Sequence, residues 1–348
     1  MEKEQRSILV SIIIPHHNNK DILLDCLHSL YQSSYQNFEI IIVDNASSDD
    51  SINHVHIDYP EVIIIKSLKN LGYAGGCNLG ARDAKGEYLF FLNNDTVLDA
   101  NCIQKLVDKL KSNSKISSVQ PKILNLDNKS SFDYAGASGG FMDYLVFPFT
   151  RGRIFNRIEK DTGQYDDSIK IFWASGAGFL TRKAIFDVIE GFDKALFAHM
   201  EEIDYHWKSY LAGHEVWVEP KAVLYHLGGA TLPMKSAKKV YYNHRNSLIL
   251  LLSNYGPWRS FCYFMLRLPL EVISSAKDLI SLRPLHFIYH YLALLWIGFN
   301  CSIILKRRKK IKSIKVINNK KLFDEKVISS FSLLIKYYLF NKKTYHKL

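Results

Sequence analysis

The first 112 residues alternate between two periodicities, and that alternation restricts the fold more than any other feature of the chain. Residues 8–14, 38–43, 61–65 and 87–92 are short apolar runs rich in branched and aromatic side chains, as in strands covered on both faces. Between the first two, residues 20–33 place Ile22, Leu23, Cys26, Leu27 and Leu30 on one helical stripe. Residues 72–84 read as a glycine-rich entry into a second helix. Strands alternating with helices imply a parallel sheet with right-handed crossovers. Ligands of such sheets sit beyond the carboxyl ends of the strands.

Three of those ends are polar. The first run leads into Pro15-His16-His17-Asn18, the second into Asp44-Asn45-Ala46-Ser47 and the fourth into Asn93-Asn94-Asp95. Asp44 and Ser47 taken alone could form a turn or helix cap. Three polar ends of one sheet, with a glycine-rich segment between them, point instead to a binding site. Residues 113–170 show no regular pattern to which chemistry can be attached. Residues 171–181 (IFWASGAGFLT) start like a strand and carry small residues that let a backbone approach a ligand closely. A short helix is expected at 183–189. A second is expected from Glu201, whose neighbours Glu202 and Asp204 suit a helix start and which Gly213 would cap. Strand character returns at 216–218 and 222–225, and His226 follows it. A lone histidine in that position is more often structural than a ligand.

Composition locates the charge. Residues 301–348 hold 14 Lys or Arg against 2 Asp or Glu, and the other 300 residues hold 31 against 32. The formal excess of +11 therefore belongs to the tail, which begins with the run KRRKK at 306–310. Residues 285–305 just before it are largely apolar and lack Asp, Glu, Lys and Arg. Such a segment followed by a basic cluster suits attachment to an anionic membrane surface, either as a span or as a helix lying in the interface. The bland alternative is a buried helix with a solvated basic tail. The tail shows no RNA-binding module, so no nucleic-acid partner is expected. Five scattered cysteines without a CxxC spacing favour a reducing compartment. With no signal-peptide pattern at the start, the chain is expected to be cytoplasmic, with its C-terminal region on the cytoplasmic face of a membrane, peripheral or anchored.

The ordered series PHHN, VDNASSD, NLGYAGGCNLG, FFLNND, SGAGFLTRKAIFDVIEGFD, MEEIDYHWKSYLAGHEV and LYHLGG, running from Val10 to Gly229, resembles the family 2 glycosyltransferases. The likeness is to the rhamnosyltransferase-like branch that serves bacterial O-antigen and cell-wall polysaccharide synthesis. It implies an α/β GT-A fold: a Rossmann-like, mostly parallel sheet in residues 1–235, with a nucleotide half (1–112) and an acceptor half (113–235). A helical, membrane-associating region (236–348) would follow. It also implies an inverting transfer from a nucleoside-diphosphate sugar, with Mg2+ or Mn2+ as cofactor, to a lipid-linked or polysaccharide acceptor. Carried over by motif, Pro15, His17, Asn18, Asp44, Asn45, Asn70, Gly75, Gly76, Asn78, Asn93 and Asn94 would hold the nucleotide-sugar. Trp173, Gly176, Ala177 and Glu201 would lie on the acceptor side. Asn93-Asn94-Asp95 matches the DxD metal motif with its first Asp replaced by Asn, so Asp95 carries most of the metal binding, helped by His226. Glu202 matches the catalytic base, and His17 stands where relatives more often have Tyr.

The donor most expected from this branch is dTDP-rhamnose. UDP-galactofuranose, UDP-glucose and UDP-N-acetylhexosamine remain open, because sugar choice depends on loops around 134–178. A processive synthase is disfavoured, since it would need several convincing membrane spans. A non-catalytic nucleotide-sugar-binding protein is the rival from another class, invited by Asn93 and opposed by the presence of Asp95, Glu202 and His226.

Overall fold

A computed structural model describes residues 7–228 and 236–348; the N-terminal MEKEQR and Gly229, the end of the LYHLGG block, lie outside them. The alternating pattern becomes β1 (Val10–His16), α1 (Lys20–Tyr31), β2 (Phe38–Asp44), α2 (Ser51–Asp58), β3 (Ile63–Lys66), α3 (Gly72–Asp83) and β4 (Tyr88–Leu92). Strands β3, β2, β1 and β4 lie side by side and are parallel. Burial explains the aliphatic run of β1, which only Ser11 interrupts. Val10, Ile12 and Ile14 pack with Leu23 and Leu27 of α1, while Ile13 packs on the opposite side with Ala74 and Cys77 of α3. The strand runs two residues past the aliphatic run because Pro15 and His16 stay in register with Val43 and Asp44. Helix α3 lies so close to the sheet that a Cβ on Gly80 would come within 2.6 Å of Ile13.

The next elements are β5 (Thr96–Leu98), α4 (Cys102–Lys111) and β6 (Ile116–Asn125). A small sheet follows, made of β7 (Gly140–Asp143), β8 (Pro148–Thr150), β9 (Arg153–Ile154) and β10 (Arg157–Ile158). Then come β11 (Ile169–Ile171), β12 (Gly178–Arg182), α5 (Lys183–Ile189), α6 (Glu201–Leu211) and β13 (Glu215–His226). The main sheet has the order β11-β13-β6-β12-β4-β1-β2-β3, with β5 on β13. It is parallel through β3, β2, β1 and β4, after which β12 enters antiparallel to both β4 and β6. Strand β6 lies in the stretch that shows no pattern in the sequence, because Ser117, Ser118, Gln120 and Lys122 interrupt its apolar residues. All four are buried and paired. Ser118 bonds Thr181, the Gln120 amide joins Gly136 and Ala137 to Ser175, and Lys122 meets Asp161 at 2.8 Å. Residues 216–218 and 222–225 belong to one strand, β13, with an irregularity between Glu219 and Val223.

Four helices continue the chain: α7 (Ala237–Asn254), α8 (Pro257–Ile280), α9 (Pro284–Phe299) and α10 (Cys301–Ile314). After them come α11 (Asn319–Asp324), β14 (Ile328–Ser329) and α12 (Leu333–Tyr338). This region shares its core with the sheet. Leu248–Leu251, Ile304, Ile311 and Leu322 belong to the same buried cluster as Phe179 and Tyr205, and β14 pairs with β7. The basic run at 306–310 is divided by this packing. Arg307 is buried against Asp193 and Asp204, and Lys310 lies 2.8 Å from Glu190, whereas Lys306 and Lys309 are exposed. The apolar segment at 285–305 is broken at Asn300, where α9 and α10 meet with a bend of 68°. No single described helix is long and apolar enough to cross a membrane.

Candidate functional site

A cleft of about 1070 Å³ opens beyond the carboxyl ends of β1, β2 and β4. On the sheet side Pro15, His17, Asn45, Asn70, Asn93, Asn94 and Asp95 line it; Trp173, Gly176, Ala177, Glu201, Glu202 and His226 face it from the second half. The remaining residues carried over by motif stand behind this wall. Asp44 accepts from the backbone N–H of Ser47 at 2.8 Å, a turn-forming bond. Asn18 accepts from the Ser48 N–H at 2.7 Å and so ties the two strand-end loops together. Gly76 lets α3 approach, since a Cβ there would meet the Asn45 amide at 2.9 Å and Pro15 at 3.0 Å. A Cβ on Gly75 would press on Leu71 of its own entry turn at 2.7 Å. Asn78 holds both the N–H and the C=O of Phe192, at 2.9 and 2.8 Å, and supports the Gly191-Phe192 turn.

His16, the neighbour of the histidine singled out by motif, is the buried one. Its Nδ1 lies 2.9 Å from the Asn94 amide nitrogen and its Nε2 lies 2.9 Å from Ser51 Oγ. Burial pushes its pKa down to about 4, against the raising effect of Asp49 and Asp44. The ring is neutral, accepts from Asn94 and donates to Ser51. His17 is exposed, with Nδ1 3.0 Å from the carbonyl of Asn45. It presents its ring at the cleft edge.

The residues that would hold a divalent metal converge from three segments. His226 Nε2 lies 3.1 Å from Asp95 Oδ1 and 3.4 Å from the Asn93 amide, and its Nδ1 lies 2.9 Å from Asp133 Oδ1. Asp95 Oδ1 is buried and, beyond its ion-pair contact with His226, makes no hydrogen bond. A carboxylate behind the far nitrogen of a histidine fixes that ring and raises its basicity, the usual support of a metal-ligating histidine. The donor set therefore fits the metal. Burial would lower the His226 pKa, but Asp133 and Asp95 outweigh it and raise it to about 10. Burial likewise works against ionisation of Asp95, and the His226 contact prevails, keeping it below its ordinary value. Asp133 comes from a stretch in which the sequence shows no chemistry. It reaches the site because its N–H bonds Ile123 of β6, which runs beside β13.

Three carboxylates begin α6 and take different roles. Asp204 is fully buried between Lys208, at 2.6 Å, and Arg307, at 2.7 Å. Burial alone would raise its pKa, but the two cations bring it down to about 2. Glu201 and Glu202 each keep one oxygen without a protein partner. Burial raises Glu202 to about 7, although backbone N–H groups at the helix start pull the other way. Burial and the neighbouring Glu202 charge push Glu201 well above the usual carboxylate range. A carboxylate poised near neutrality, in a cleft and with one oxygen free, is suited to accept a proton.

The segment that aims these carboxylates is strained. Phe197, His199 and Met200 have φ of +58°, +67° and +71°, conformations that cost non-glycine residues energy unless the surroundings hold them. The Asn246 amide on α7 donates to the carbonyls of Leu196, Ala198 and His199 at 2.9, 3.0 and 2.7 Å. Arg245 donates to Ala195 and to the Asn246 side-chain oxygen. Nothing in the sequence marks this clamp, which is nearly 50 residues from the loop it holds. Asn246→Ala is expected to cost about 1–3 kcal/mol of stability by leaving loop carbonyls unpaired. It should also lower kcat while nucleotide affinity is retained. Urea unfolding, calorimetry and turnover check this, and an unchanged kcat would show that the loop holds Glu202 without the amide.

The family model described as "Glycosyl transferase family 2" matches residues 11–189. An uncharacterized glycosyltransferase of Rickettsia conorii is 25% identical over 309 residues, covering 77% of this chain and 46% of that protein. The chain spans less than half the length of the first three curated relatives it matches. Among solved structures, GalNAc-T7 with UDP, GalNAc and Mn2+ aligns with a TM-score of 0.60 at 14% identity, over 86% of this chain and 58% of that one. The mannosyltransferase PcManGT from Pyrobaculum calidifontis, with GDP-Man and Mn2+, aligns with a TM-score of 0.51 at 13% identity, over 84% and 87%. At these identities the likeness is one of fold, and it agrees with the GT-A architecture expected for the sequence.

Proposed function

The chain belongs to glycosyl transferase family 2, and from that premise we propose that it moves a sugar from a nucleoside diphosphate to an acceptor hydroxyl with inversion. The observation that carries this reading is the meeting in one cleft of a carboxylate poised near neutrality with one oxygen free, Glu202, and the Asp95–His226–Asp133 set. Asp95 and His226 would hold the metal, whose charge offsets the negative charge that develops on the departing diphosphate. The family's fold relatives solved with Mn2+ support that choice of cofactor.

The chain's own groups do the rest. His17 and Asn45, just past the carboxyl ends of β1 and β2, bind the nucleotide, and Asn94, held by neutral His16, gives the strand-end loop one orientation. Glu202 takes the proton of the acceptor hydroxyl as it attacks the anomeric carbon opposite the leaving group. One base on one face gives inversion, with no covalent intermediate. Lining up both substrates in the cleft supplies much of the remaining acceleration.

The donor proposed is dTDP-rhamnose, and the acceptor a lipid-linked or polysaccharide sugar at the cytoplasmic face of a bacterial inner membrane, in O-antigen or cell-wall synthesis. Fold relatives are solved with UDP and with GDP-Man, so the assay sets dTDP-rhamnose beside UDP- and GDP-sugars and reads released nucleotide and product. Preference for dTDP-rhamnose supports the rhamnosyl assignment. A preference for a UDP-sugar keeps the transferase and changes the donor, and nucleotide binding without turnover of any donor favours a binding protein.

A further inference from the structure

In α8 the ordinary arrangement of an amphipathic helix is reversed. Its buried residues are Ser260, Arg267, Glu271 and Ser275. Trp258, Phe261, Met265, Val272 and Leu279 are exposed, and they recur on one side of a helix of period 3.6. The buried polar face is fully engaged. Arg267 donates to Glu271 Oε1 at 2.7 Å and to the Leu145 carbonyl at 2.6 Å, and His244 and His290 meet Glu271 Oε2 at 2.5 and 3.3 Å. Helix α9 repeats the pattern beside it. His290, Ala293 and Ile297 are buried, while Leu285, Ile288, Leu292, Leu295 and Phe299 are exposed. Two neighbouring helices that turn polar side chains inward and large apolar ones outward present apolar surface to solvent, which marks a binding face.

Charge identifies what covers it. Between Pro257 and Ile314 the only acids are Glu271 and Asp278. Both are paired inward: Glu271 as above, and Asp278 with His290 at 3.2 Å. Arg259, Lys277, Arg283, Lys306 and Lys309 are all exposed. A second copy on this face would set cations against cations, whereas anionic headgroups neutralise them. A straight span is not on offer, since no single described helix is long and apolar enough to cross a membrane, and the α9–α10 pair, which together has the length and composition for one, is bent by 68°.

We propose that the α8–α9 pair lies in the plane of an anionic lipid bilayer, with its apolar face in the interfacial layer and the flanking cations among the headgroups. This rests on the membrane-side reading above and deepens it, because the main element is α8, which five charged residues remove from any hydropathy reading. The opposite side of α8 contributes Arg267 to the cleft wall, next to Ser247 and His244 of α7. The bilayer would thus lie one helix away from the acceptor side of the site.

The test uses the full chain, sedimented with vesicles of phosphatidylcholine or of phosphatidylcholine mixed with phosphatidylglycerol. The wild type should pellet with the anionic vesicles. The double variant Phe261→Glu/Val272→Glu should bind them about a hundredfold or more weakly. Lys306→Glu/Lys309→Glu should lose about tenfold or more, and only for anionic vesicles. Thermal melting and nucleotide calorimetry confirm that each variant is folded. If the first pair fails to fold, Leu285→Gln/Phe299→Gln on α9 replaces it with the same direction expected. The proposal is overturned if the wild type stays in solution with anionic vesicles, or if the folded apolar-face variants pellet like the wild type. It is equally overturned if those substitutions only dissociate a dimer. Vesicle binding is read without donor or acceptor, so its failure leaves the transferase reading standing, and failure of transfer leaves this one.

Discussion

Glu202→Gln lowers kcat by roughly 10²–10⁴-fold, the range for loss of a general base, while the affinity for nucleotide stays close to that of the wild type. Glutamine keeps the size and the hydrogen-bonding oxygen of the side chain and removes only its ability to take a proton. The pH dependence should agree. The base must be ionised, and burial places the Glu202 carboxyl at about 7, so kcat/KM rises with pH through about 7 and then levels off. In the Gln variant that rise disappears. Glu201 supplies the control, being pushed up by burial and by the Glu202 charge. Turnover of Glu202→Gln within about fivefold of wild type, where a lost general base costs at least a hundredfold, would remove Glu202 as the base. Loss of turnover in Glu201→Gln in that case would transfer the role to Glu201.

Arg307→Ala is expected to cost about 3–5 kcal/mol of folding stability, because it leaves Asp204 buried with an incomplete set of partners. Arg307 reaches Asp204 at 2.7 Å from α10, about 100 residues along the chain, and also pairs with Asp193. The pair joins the C-terminal region to the first turn of the helix that carries Glu202. Asp204 is held at about 2, with burial opposing and Arg307 and Lys208 prevailing. A carboxyl held below its unfolded value of about 3.9 stabilises the fold above that pH and ceases to do so as pH falls toward 2. The acid limb of the stability curve should therefore flatten in Arg307→Ala. Urea unfolding at neutral and acid pH measures both effects, and a loss of under about 1 kcal/mol, the range of an exposed pair, would show that Arg307 holds nothing in place.

What the sequence shows is mostly what a single periodicity can carry. Residues 8–14 announce a strand because β1 is apolar on both faces, and the stripe of α1 is legible because only one face is buried. Strand β6 escapes that reading because its polar side chains are satisfied by partners far along the chain, among them Thr181 and Asp161. The same reason hides Asp133, which becomes a site residue only when β6 and β13 lie side by side. Helix α8 escapes for the converse reason. Its five charges suggest a solvated face, yet two of them, Arg267 and Glu271, lie on the side that is buried. Motif resemblance reaches further, since Asp95, His226 and Glu202 do line one cleft. It cannot separate a residue that faces the cleft from one that supports it. Asn78 belongs to the same motif as Asn70 and spends both ends of its amide on Phe192.

The central claim is a nucleoside-diphosphate site built on Asp95 and His226, and calorimetry tests it most directly. The wild type and Asp95→Ala would be titrated with dTDP, UDP and GDP, each with manganese and with chelator. The account predicts that at least one nucleotide binds the wild type with manganese, and that the affinity falls both on chelation and in Asp95→Ala. Absence of binding by all three in the presence of manganese, or binding that neither the chelator nor the substitution weakens, would contradict it.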